Sequence, residues 1–256
     1  MTILDAFKLD GKVALVTGAA NGLGRGIALG LAEAGADIAA LDVAPAKETL
    51  GEISALGRRG YAMEHDLSGA KSELAAGIVE ECVKEFGRLD ILVNNAGIIR
   101  RATALKFSEE DWEEVMSVNL SSAFYISQAA ARHFVEAGDG GKIINTASVL
   151  SYEGGYLVPS YSASKAGIAN LTRALANEWA PLGINVNAIA PSYFSTNLTN
   201  ALREDAERSE ALLARLPAGR FGEPEDLKGA TVFLASEAAS YVHGTVVPVD
   251  GGWLGR

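Results

Sequence analysis

The sequence predicts an α/β fold in which helices cover both faces of a doubly wound parallel sheet. Short apolar runs rich in β-branched residues, typical of buried strands, lie at 13–17, 38–41, 91–93, 143–145, 184–189 and 246–249. Longer stretches of helical period separate them, for example at 23–34, 45–56, 72–86 and 160–180. A strand followed by a helix, repeated along the chain, indicates a parallel sheet with helices on both sides.

The 256 residues fit one domain spanning 1–256, because a chain of this length can bury one large core. No Pro/Ser-rich linker, repeat or low-complexity tract interrupts the alternation. One region, 191–224, departs from it, with a polar run followed by a charged helical stretch at 202–216. That stretch is either an amphipathic surface helix or part of a lid over a ligand. Its position after the carboxyl end of a strand favours the lid.

The composition narrows the class of partner and the compartment. A formal net charge of −10 disfavours nucleic acids and anionic membranes as partners, because their phosphates would repel the chain. Cys82 is the only cysteine, so no disulfide forms within the chain, which suits a reducing cytoplasm. The sequence shows neither a signal-peptide pattern nor an apolar run long enough to span a bilayer. We therefore expect a cytoplasmic protein without nucleic-acid or membrane partners.

Glycines follow the first predicted strand. Gly18, Gly22 and Gly24 lie between that strand and the next helix, in the segment TGAANGLG. Glycines there permit a tight turn, and they let backbone N–H groups approach a pyrophosphate at the helix N-terminus. A glycine cluster alone could be an ordinary turn. The strand before it and the helix after it favour a dinucleotide-binding, Rossmann-type fold.

Asp42 closes the second predicted strand, roughly twenty residues after the glycines. A carboxylate there accepts hydrogen bonds from a ribose 2′-hydroxyl and repels a 2′-phosphate. It could also be a solvated aspartate at a strand end. Because Val43 and Ala44, rather than a basic residue, follow it, we expect NAD as the cofactor.

Tyr161 and Lys165 are four residues apart on a predicted helix, so their side chains project from one face. A free phenol has a pKa near ~10 and is a poor base at neutral pH. A nearby lysine ammonium, together with the positive charge of an oxidised nicotinamide, favours its phenolate. Such a pair also arises by chance on an amphipathic helix. Ser148, which follows the strand at 143–145, could hold a substrate oxygen against Tyr161. The combination predicts hydride transfer to or from a carbinol, with Tyr161 as acid or base.

Together these motifs resemble those of the short-chain dehydrogenase/reductase family, whose glycine fingerprint is TGxxxGxG. The resemblance covers essentially the whole chain and implies a catalytic tetrad of Asn119, Ser148, Tyr161 and Lys165. It implies that Asn119 holds a water near the lysine and that Lys165 also holds the nicotinamide ribose. The cofactor-binding residues that the resemblance implies are Gly18, Asn21, Gly22, Leu23, Gly24, Asp42, Asp66, Leu67, Asn94, Ala96, Gly97, Tyr161, Lys165, Pro191, Tyr193 and Thr196.

Two positions in these motifs differ between relatives. Asn21 stands where relatives that prefer NADP often carry a basic residue, which again favours NAD. Most relatives have a glycine after the proline that ends the sixth strand, whereas this chain has Ser192 after Pro191. A left-handed backbone at Ser192 would cost energy because of its Cβ. The resemblance therefore does not fix the loop geometry near the substrate.

Segments outside the tetrad resemble a narrower group within the family. They lie at 99–101, 177–179, 215–222 and 250–254, among other places. The group comprises bacterial dehydrogenases of deoxy sugar acids, of the 2-dehydro-3-deoxy-D-gluconate or 2-deoxy-D-gluconate type. The resemblance therefore implies an anionic sugar acid as the small-molecule substrate.

Arg100 and Arg101 follow the segment NNAG at the mouth of the expected site. An arginine grips a carboxylate with two parallel hydrogen bonds, so either could bind a sugar acid. Alternatively, one or both pair with Glu109, Glu110 or a neighbouring subunit. Further candidates for contacts to the substrate are Ser148, Tyr152, Tyr156, Tyr161 and Asn197.

Other hypotheses remain open at this point. The same scaffold serves gluconate, polyol and 3-oxoacyl reductases, although the acidic charge disfavours an acyl-carrier substrate. A regulator that senses NAD without turnover is disfavoured by the intact tetrad. The histidines show no metal-ligand spacing, so no metal site is predicted. In this family the helix at 160–180 and the long helix before it pack between subunits, which implies a homotetramer.

Overall fold

The predicted parallel sheet is present in a computed structural model that describes residues 2–196 and 206–256. Its strands in these ranges are β1 Val13–Thr17, β2 Asp37–Asp42, β3 Gly60–Glu64, β4 Ile91–Asn94, β5 Gly141–Thr146, β6 Ile184–Pro191 and β7 Val246–Val249. All neighbours pair in parallel, in the order β3-β2-β1-β4-β5-β6-β7. The predicted doubly wound α/β fold is confirmed.

Helices connect these strands much as the sequence predicts. In the described ranges they are α1 Gly22–Glu33, α2 Lys47–Ala55, α3 Ser72–Phe86, α4 Glu109–Met116, α5 Ser122–Ala137, α6 Pro159–Trp179, α7 Ala206–Arg215 and α8 Lys228–Ala235. A π-helical segment, Ser117–Ser121, joins α4 to α5. The predicted helices at 23–34, 72–86 and 160–180 agree with α1, α3 and α6 within one residue at each end. The helix predicted at 45–56 begins two residues later, and α7 lies within the charged stretch at 202–216.

Successive strand residues face two separate apolar cores. In β1, Val13 and Leu15 pack in the core that α3, α5 and α6 cover. Ala14 and Val16 pack in the core that α1, α2 and α8 cover. Because both faces of the sheet are buried, its central strands are apolar at consecutive positions rather than at alternate ones.

The edge strand β3 is the exception. Met63 is its one buried residue, so it lacks the continuous apolar run that marks the other strands. The sequence pattern therefore did not define its bounds.

The strand order reverses at β1, which lies between β2 and β4. Ligands of open parallel sheets bind at the carboxyl ends of the strands at such a point. The glycine turn that follows β1 lies there. Gly18 has a φ of 68°, and a methyl group on Gly24 would overlap the carbonyl oxygen of Gly18. Both positions therefore require glycine.

Some other sites are absent from the part of the chain that the structure describes. None of its helices is long and apolar enough to cross a lipid bilayer. It contains no group of three or more His, Cys, Asp or Glu side chains that could hold a metal ion. Cys82 is buried on α3, and burial raises the pKa of its thiol to about 12, so it is no candidate nucleophile.

Candidate active site

A cleft of about 470 Å³ opens at the carboxyl ends of β1 to β5. Most of the residues predicted to bind a cofactor meet there. Those that line it are Gly18, Asn21, Gly22, Leu23, Gly24, Asp42, Asp66, Leu67, Ala96, Gly97, Tyr161, Lys165 and Thr196. The fold thus brings together motifs that are far apart in sequence.

Other lining residues were not predicted. They are Leu41, Val43, His65, Ser68, Asn95, Ile98, Glu114, Val118 and Thr146. Most of them lie next to a motif residue in the sequence. The motifs therefore indicated the right segments but not these individual residues. Glu114 and Val118 lie on α4 and the π-helical segment, and nothing in the local sequence indicates their place in the cleft.

The structure corrects the role predicted for Asn94. Its side chain is buried outside the cleft, where Nδ2 donates to Asn145 Oδ1 and to Ser127 Oγ, each at 2.9 Å. Asn95 takes its place beside the glycine turn, because neighbouring residues at a strand end point to opposite sides. Asn95 Nδ2 donates to the carbonyl oxygens of Thr17 and Gly18, at 3.0 and 3.3 Å. It therefore fixes the turn that the glycines form.

Asp42 lies at the mouth of the cleft, at the end of β2. Its Oδ2 accepts the backbone N–H of Ala20 in the glycine turn (2.9 Å), and its Oδ1 accepts that of Ala44 (3.1 Å). Each carboxylate oxygen has a second lone pair, so the group can accept further hydrogen bonds from a ligand. Arg25, one turn into α1, is paired with Glu48 and Glu52.

Asp66 and Leu67 follow β3 and line the cleft as predicted. Asp66 Oδ1 accepts the backbone N–H of Ser68 at 2.8 Å, and this hydrogen bond lowers the pKa of the carboxyl. Asp66 therefore stays ionised and held in one orientation.

Tyr161 and Lys165 lie one turn apart on α6, and both line the cleft. Lys165 Nζ lies 5.7 Å from the centre of the Tyr161 ring and donates to the carbonyl oxygen of Thr146 at 2.6 Å. Lys165 is only 4% exposed, and burial lowers its pKa from 10.5 to about 8. The ammonium is still the main form at neutral pH, with one described hydrogen-bond partner.

In the protein alone, Tyr161 favours its neutral form, and the effect of an oxidised nicotinamide on its ionisation stays a prediction. Burial raises the pKa of its phenol, and this outweighs the hydrogen bond from Ser148 and the charge of Arg101, which both lower it. The same burial lowers the pKa of Lys165, so the site disfavours the charged form of both groups. In the protein alone the tyrosine is therefore a neutral proton donor.

Asn119 lies in the π-helical segment, a feature often found at functional sites. Its Oδ1 accepts the N–H of Ile98 (2.8 Å), and its Nδ2 donates to the carbonyl oxygen of Ile98 (3.0 Å) and to Ser164 Oγ (3.1 Å). These bonds tie the NNAG loop to α6, next to Lys165. The water that the resemblance assigns to Asn119 would be an additional ligand of a side chain already bonded on both ends.

Ser148 follows β5 and is 6% exposed. Its Oγ accepts the N–H of Leu150 (3.1 Å), its own N–H donates to Ser151 Oγ (3.2 Å), and Ser151 Oγ donates to the carbonyl oxygen of Lys165 (2.6 Å). The loop that carries Ser148 is thereby fixed to α6. The Ser148 hydroxyl is near enough to Tyr161 to lower the pKa of its phenol. That this pair holds a substrate oxygen stays a prediction.

The two predicted substrate arginines have different surroundings. Arg100 pairs with Glu114 at 2.8 Å and with Asp111 at 3.4 Å. Pairing with an acidic residue was the alternative weighed from sequence, although the partners are not Glu109 or Glu110. Arg101 is exposed, and its charge acts on the phenol of Tyr161.

Leu157 holds the Arg101 loop beside α6. It has a φ of 63°, the one positive φ at a non-glycine residue in the described ranges. Its carbonyl oxygen accepts the N–H of Ala102 at 3.1 Å. A leucine in this conformation costs energy, so the surrounding contacts must hold it there.

The loop after β6 gives a mixed result. Thr196 lines the cleft, whereas Pro191 and Tyr193 do not, and the Tyr193 ring packs against Trp253 with centroids 4.8 Å apart. Ser192 does not adopt a positive φ, and its Oγ donates to the carbonyl oxygen of Asp250 at 3.0 Å. The serine therefore fits without the predicted strain.

The remaining predicted substrate residues have no place in the described cleft. Tyr152 and Tyr156 are exposed, at 47% and 78%, and neither lines it. Asn197 lies outside the described residues.

Comparison with known proteins gives a consistent family. A family model described as Enoyl-(Acyl carrier protein) reductase matches residues 18–254. The chain is 56% identical to the 2-dehydro-3-deoxy-D-gluconate 5-dehydrogenase of Escherichia coli K12, covering 99% of this chain and 100% of the relative. The chain belongs to the short-chain dehydrogenase/reductase family.

Solved members of the family have the same fold. A structure from Agrobacterium tumefaciens, provisionally named 2-deoxy-D-gluconate 3-dehydrogenase and bound to NADP, superposes with a TM-score of 0.92 at 51% identity, covering 98% of this chain and 100% of that one. A gluconate 5-dehydrogenase from Burkholderia cenocepacia, in complex with NADP and tartrate, gives 0.93 at 40% identity, with full coverage of both chains.

As a short-chain dehydrogenase/reductase, the protein is an oxidoreductase that acts on CH–OH groups and uses a nicotinamide dinucleotide. The cleft fits such a cofactor. Its floor is the turn from Gly18 to Gly24, where a Cβ on Gly24 would overlap backbone, so the main chain itself forms the surface that a pyrophosphate would approach.

Replacing Lys165 with methionine should stabilise the nucleotide-free enzyme at neutral pH. The unfolded chain binds the lysine proton more tightly than the folded one, so burial of the ammonium costs stability below pH 8 and less as pH rises toward 10.5. With about 1.4 kcal/mol per pKa unit, and a lost bond to Thr146, the gain at pH 7 is on the order of 2 kcal/mol. Urea unfolding at pH 7 and pH 10 measures it.

The exposed Lys106→Met variant is the control and should show no such gain at either pH. A Lys165→Met protein that is less stable than wild type at pH 7, or whose gain does not shrink by pH 10, would contradict the assigned burial cost.

Proposed function

We propose that the protein is an NAD-dependent dehydrogenase of a deoxy sugar acid of the 2-dehydro-3-deoxy-D-gluconate type. One observation carries the proposal: Tyr161 and Lys165 line the same cleft as the glycine turn, and Ser148 and the charge of Arg101 both act on the Tyr161 phenol. A carbinol-handling site next to an arginine suits an acidic substrate. Relatives at 50–56% identity that carry the name of this activity support the same substrate class.

The protein residues divide the work around the reacting oxygen. The bound nicotinamide supplies the acceptor or donor of the hydride. Ser148, which lowers the pKa of the Tyr161 phenol, holds the substrate oxygen together with Tyr161, and Tyr161 takes or gives its proton. Lys165 places a positive charge under the ring, and its bond to Thr146 keeps it there. Asn119 positions the loop opposite through Ile98.

Arg101 is the proposed partner of the substrate carboxylate. Its charge acts on the phenol of Tyr161, which ties it to the reacting group. Arg100 makes ion pairs with Glu114 and Asp111 on α4. The backbone directly after Arg101 is hydrogen-bonded to Leu157, four residues before Tyr161, so the Arg101 backbone is held next to the start of α6. A planar guanidinium grips a carboxylate with two parallel hydrogen bonds.

The cofactor is proposed to be NAD. Asp42 places a carboxylate at the end of β2. This carboxylate would accept a hydrogen bond from a ribose 2′-hydroxyl and repel a 2′-phosphate. Val43 and Asn21 beside it are uncharged, and Arg25 is neutralised by Glu48 and Glu52.

The segment 191–224 is proposed to be a lid on a single domain spanning 1–256. Thr196 lines the cleft above Gly22, and α7 is charged on its exposed side, as a covering segment would be. Asn197, within this segment, is proposed to contact the substrate.

A homotetramer in the cytoplasm completes the proposal. A surface groove between α5 and α6, lined by Leu120, Phe124, Tyr125 and Leu171, supports pairing of these two helices with a second copy. The single buried cysteine and the net charge of −10 suit a reducing compartment without membrane or nucleic-acid partners.

Turnover of 2-dehydro-3-deoxy-D-gluconate tests the function. The rate is measured by the absorbance of the reduced nicotinamide. Wild type should turn over this sugar acid faster than D-gluconate, simple polyols or a 3-oxoacyl thioester. Arg101→Ala should raise KM for the sugar acid roughly 10-fold or more, because a charge-assisted hydrogen bond contributes about 1.5–3 kcal/mol.

Arg100→Ala is the matched control and should change KM by less than about threefold, since Arg100 is paired within the protein. Higher kcat/KM on a neutral polyol, or equal KM effects at both arginines, would overturn the sugar-acid assignment. A Tyr161→Phe variant supplies the background rate.

Cofactor preference is tested separately, by comparing kcat/KM for NAD and NADP. Wild type should prefer NAD, and Asp42→Asn should lower the NAD-to-NADP ratio by about tenfold or more, because it removes the charge that repels a 2′-phosphate. A wild-type preference for NADP would show that the Asp42 argument is wrong.

A further inference from the structure

The C-terminal residues reach the loop that carries Ser148. Trp253 is buried, and its indole N–H donates to Glu153 Oε2 at 3.0 Å. Glu153 lies five residues after Ser148, and Val149 of the same loop packs in one apolar cluster with Trp253 and Leu216. The end of the chain is thus in direct contact with the substrate-facing loop.

The last residue of α7 joins the same contact. The Arg215 guanidinium lies 3.9 Å from the centre of the Trp253 ring, a cation–π distance, and 3.9 Å from Glu153 Oε1. Arg215, Trp253 and Glu153, which we call the C-terminal clasp, therefore link three segments that are far apart in sequence.

Backbone contacts carry this link toward the cleft. The Ala218 N–H donates to the carbonyl oxygen of Gly251 at 3.0 Å, and Gly222 bridges to Tyr193 and Ser195 at 2.9 and 2.8 Å. Thr196, the next residue, lines the cleft. A shift of α7 would therefore displace the base of the segment 191–224 at the cleft edge.

We propose that the C-terminal clasp holds α7 against the Ser148 loop and so sets the affinity for the substrate. The proposal rests on the proposed function only in placing that substrate at Ser148 and Tyr161. None of the three clasp residues lines the described cleft, so they act as positioning residues through the loops that they join. Arg215 is 61% exposed, so the pair adds little to global stability, and its loss should act locally.

An Arg215→Gln variant tests the clasp. Hydrogen exchange of the α7 amides should become about tenfold faster, because local opening no longer breaks these contacts. KM for the sugar acid should rise about fivefold or more, while kcat, KM for NAD and the pH profile stay within about twofold of wild type.

Arg59→Gln is the matched control. Arg59 makes the same two kinds of contact, over the Phe86 ring at 4.9 Å and with Glu85 at 3.3 Å, at a place away from the cleft. It should leave α7 exchange and KM unchanged. Glu153→Gln, which keeps an acceptor for the indole N–H but removes the charge, should give an intermediate KM.

The outcomes separate the two proposals. If wild type does not turn over the sugar acid, the proposed function fails. Hydrogen exchange of the α7 amides still tests whether the clasp holds α7. If wild type is active and Arg215→Gln matches Arg59→Gln in exchange and KM, the clasp is wrong. A lower kcat together with a higher KM for NAD would also overturn it, since that pattern indicates a general loss of structure.

Discussion

The arrangement of the active site depends on one buried cation. Lys165 lies under the Tyr161 ring, is almost inaccessible to water and donates to the carbonyl oxygen of Thr146. The parallel sheet makes this possible, because β5 ends at Thr146 next to the helix that carries both side chains. Asn119 then fixes the opposite loop to the same helix. Burying a charged or polar group costs free energy, and each of these hydrogen bonds offsets part of that cost.

Burial disfavours the charged forms of Lys165 and Tyr161, the two residues that the reaction needs. Removing water lowers the pKa of Lys165 and raises that of Tyr161, so both groups lean toward their neutral forms in the protein alone. A site that disfavours its own charges is poised to respond when a charged ligand enters. The cost is local instability, which natural enzymes accept at the residues that carry chemistry. Ser148 and Arg101 already moderate it on the tyrosine side.

The sequence was sufficient for the fold and for most of the cleft because both follow from local rules. Strand and helix periods predicted the sheet. The glycines, Asp42 and the Tyr161–Lys165 spacing predicted which end of the sheet carries the cleft. Orientation was harder. Whether Asn94 or Asn95 faces the cleft depends on one residue of strand register, and the ionisation of Tyr161 depends on burial that no spacing reveals. That Arg100 and Arg101 have different surroundings could be seen only once the position of α4 was known.

The ionisation of Tyr161 tests the account most directly. An ultraviolet difference titration of wild type against Tyr161→Phe reads the phenolate in the nucleotide-free enzyme, with saturating NAD and with NADH. The account predicts a pKa above 10 without nucleotide, lower by about one unit or more with the positively charged nicotinamide of NAD, and little changed by NADH. A pKa below 10 in the free enzyme, or the same value with and without NAD, would contradict it.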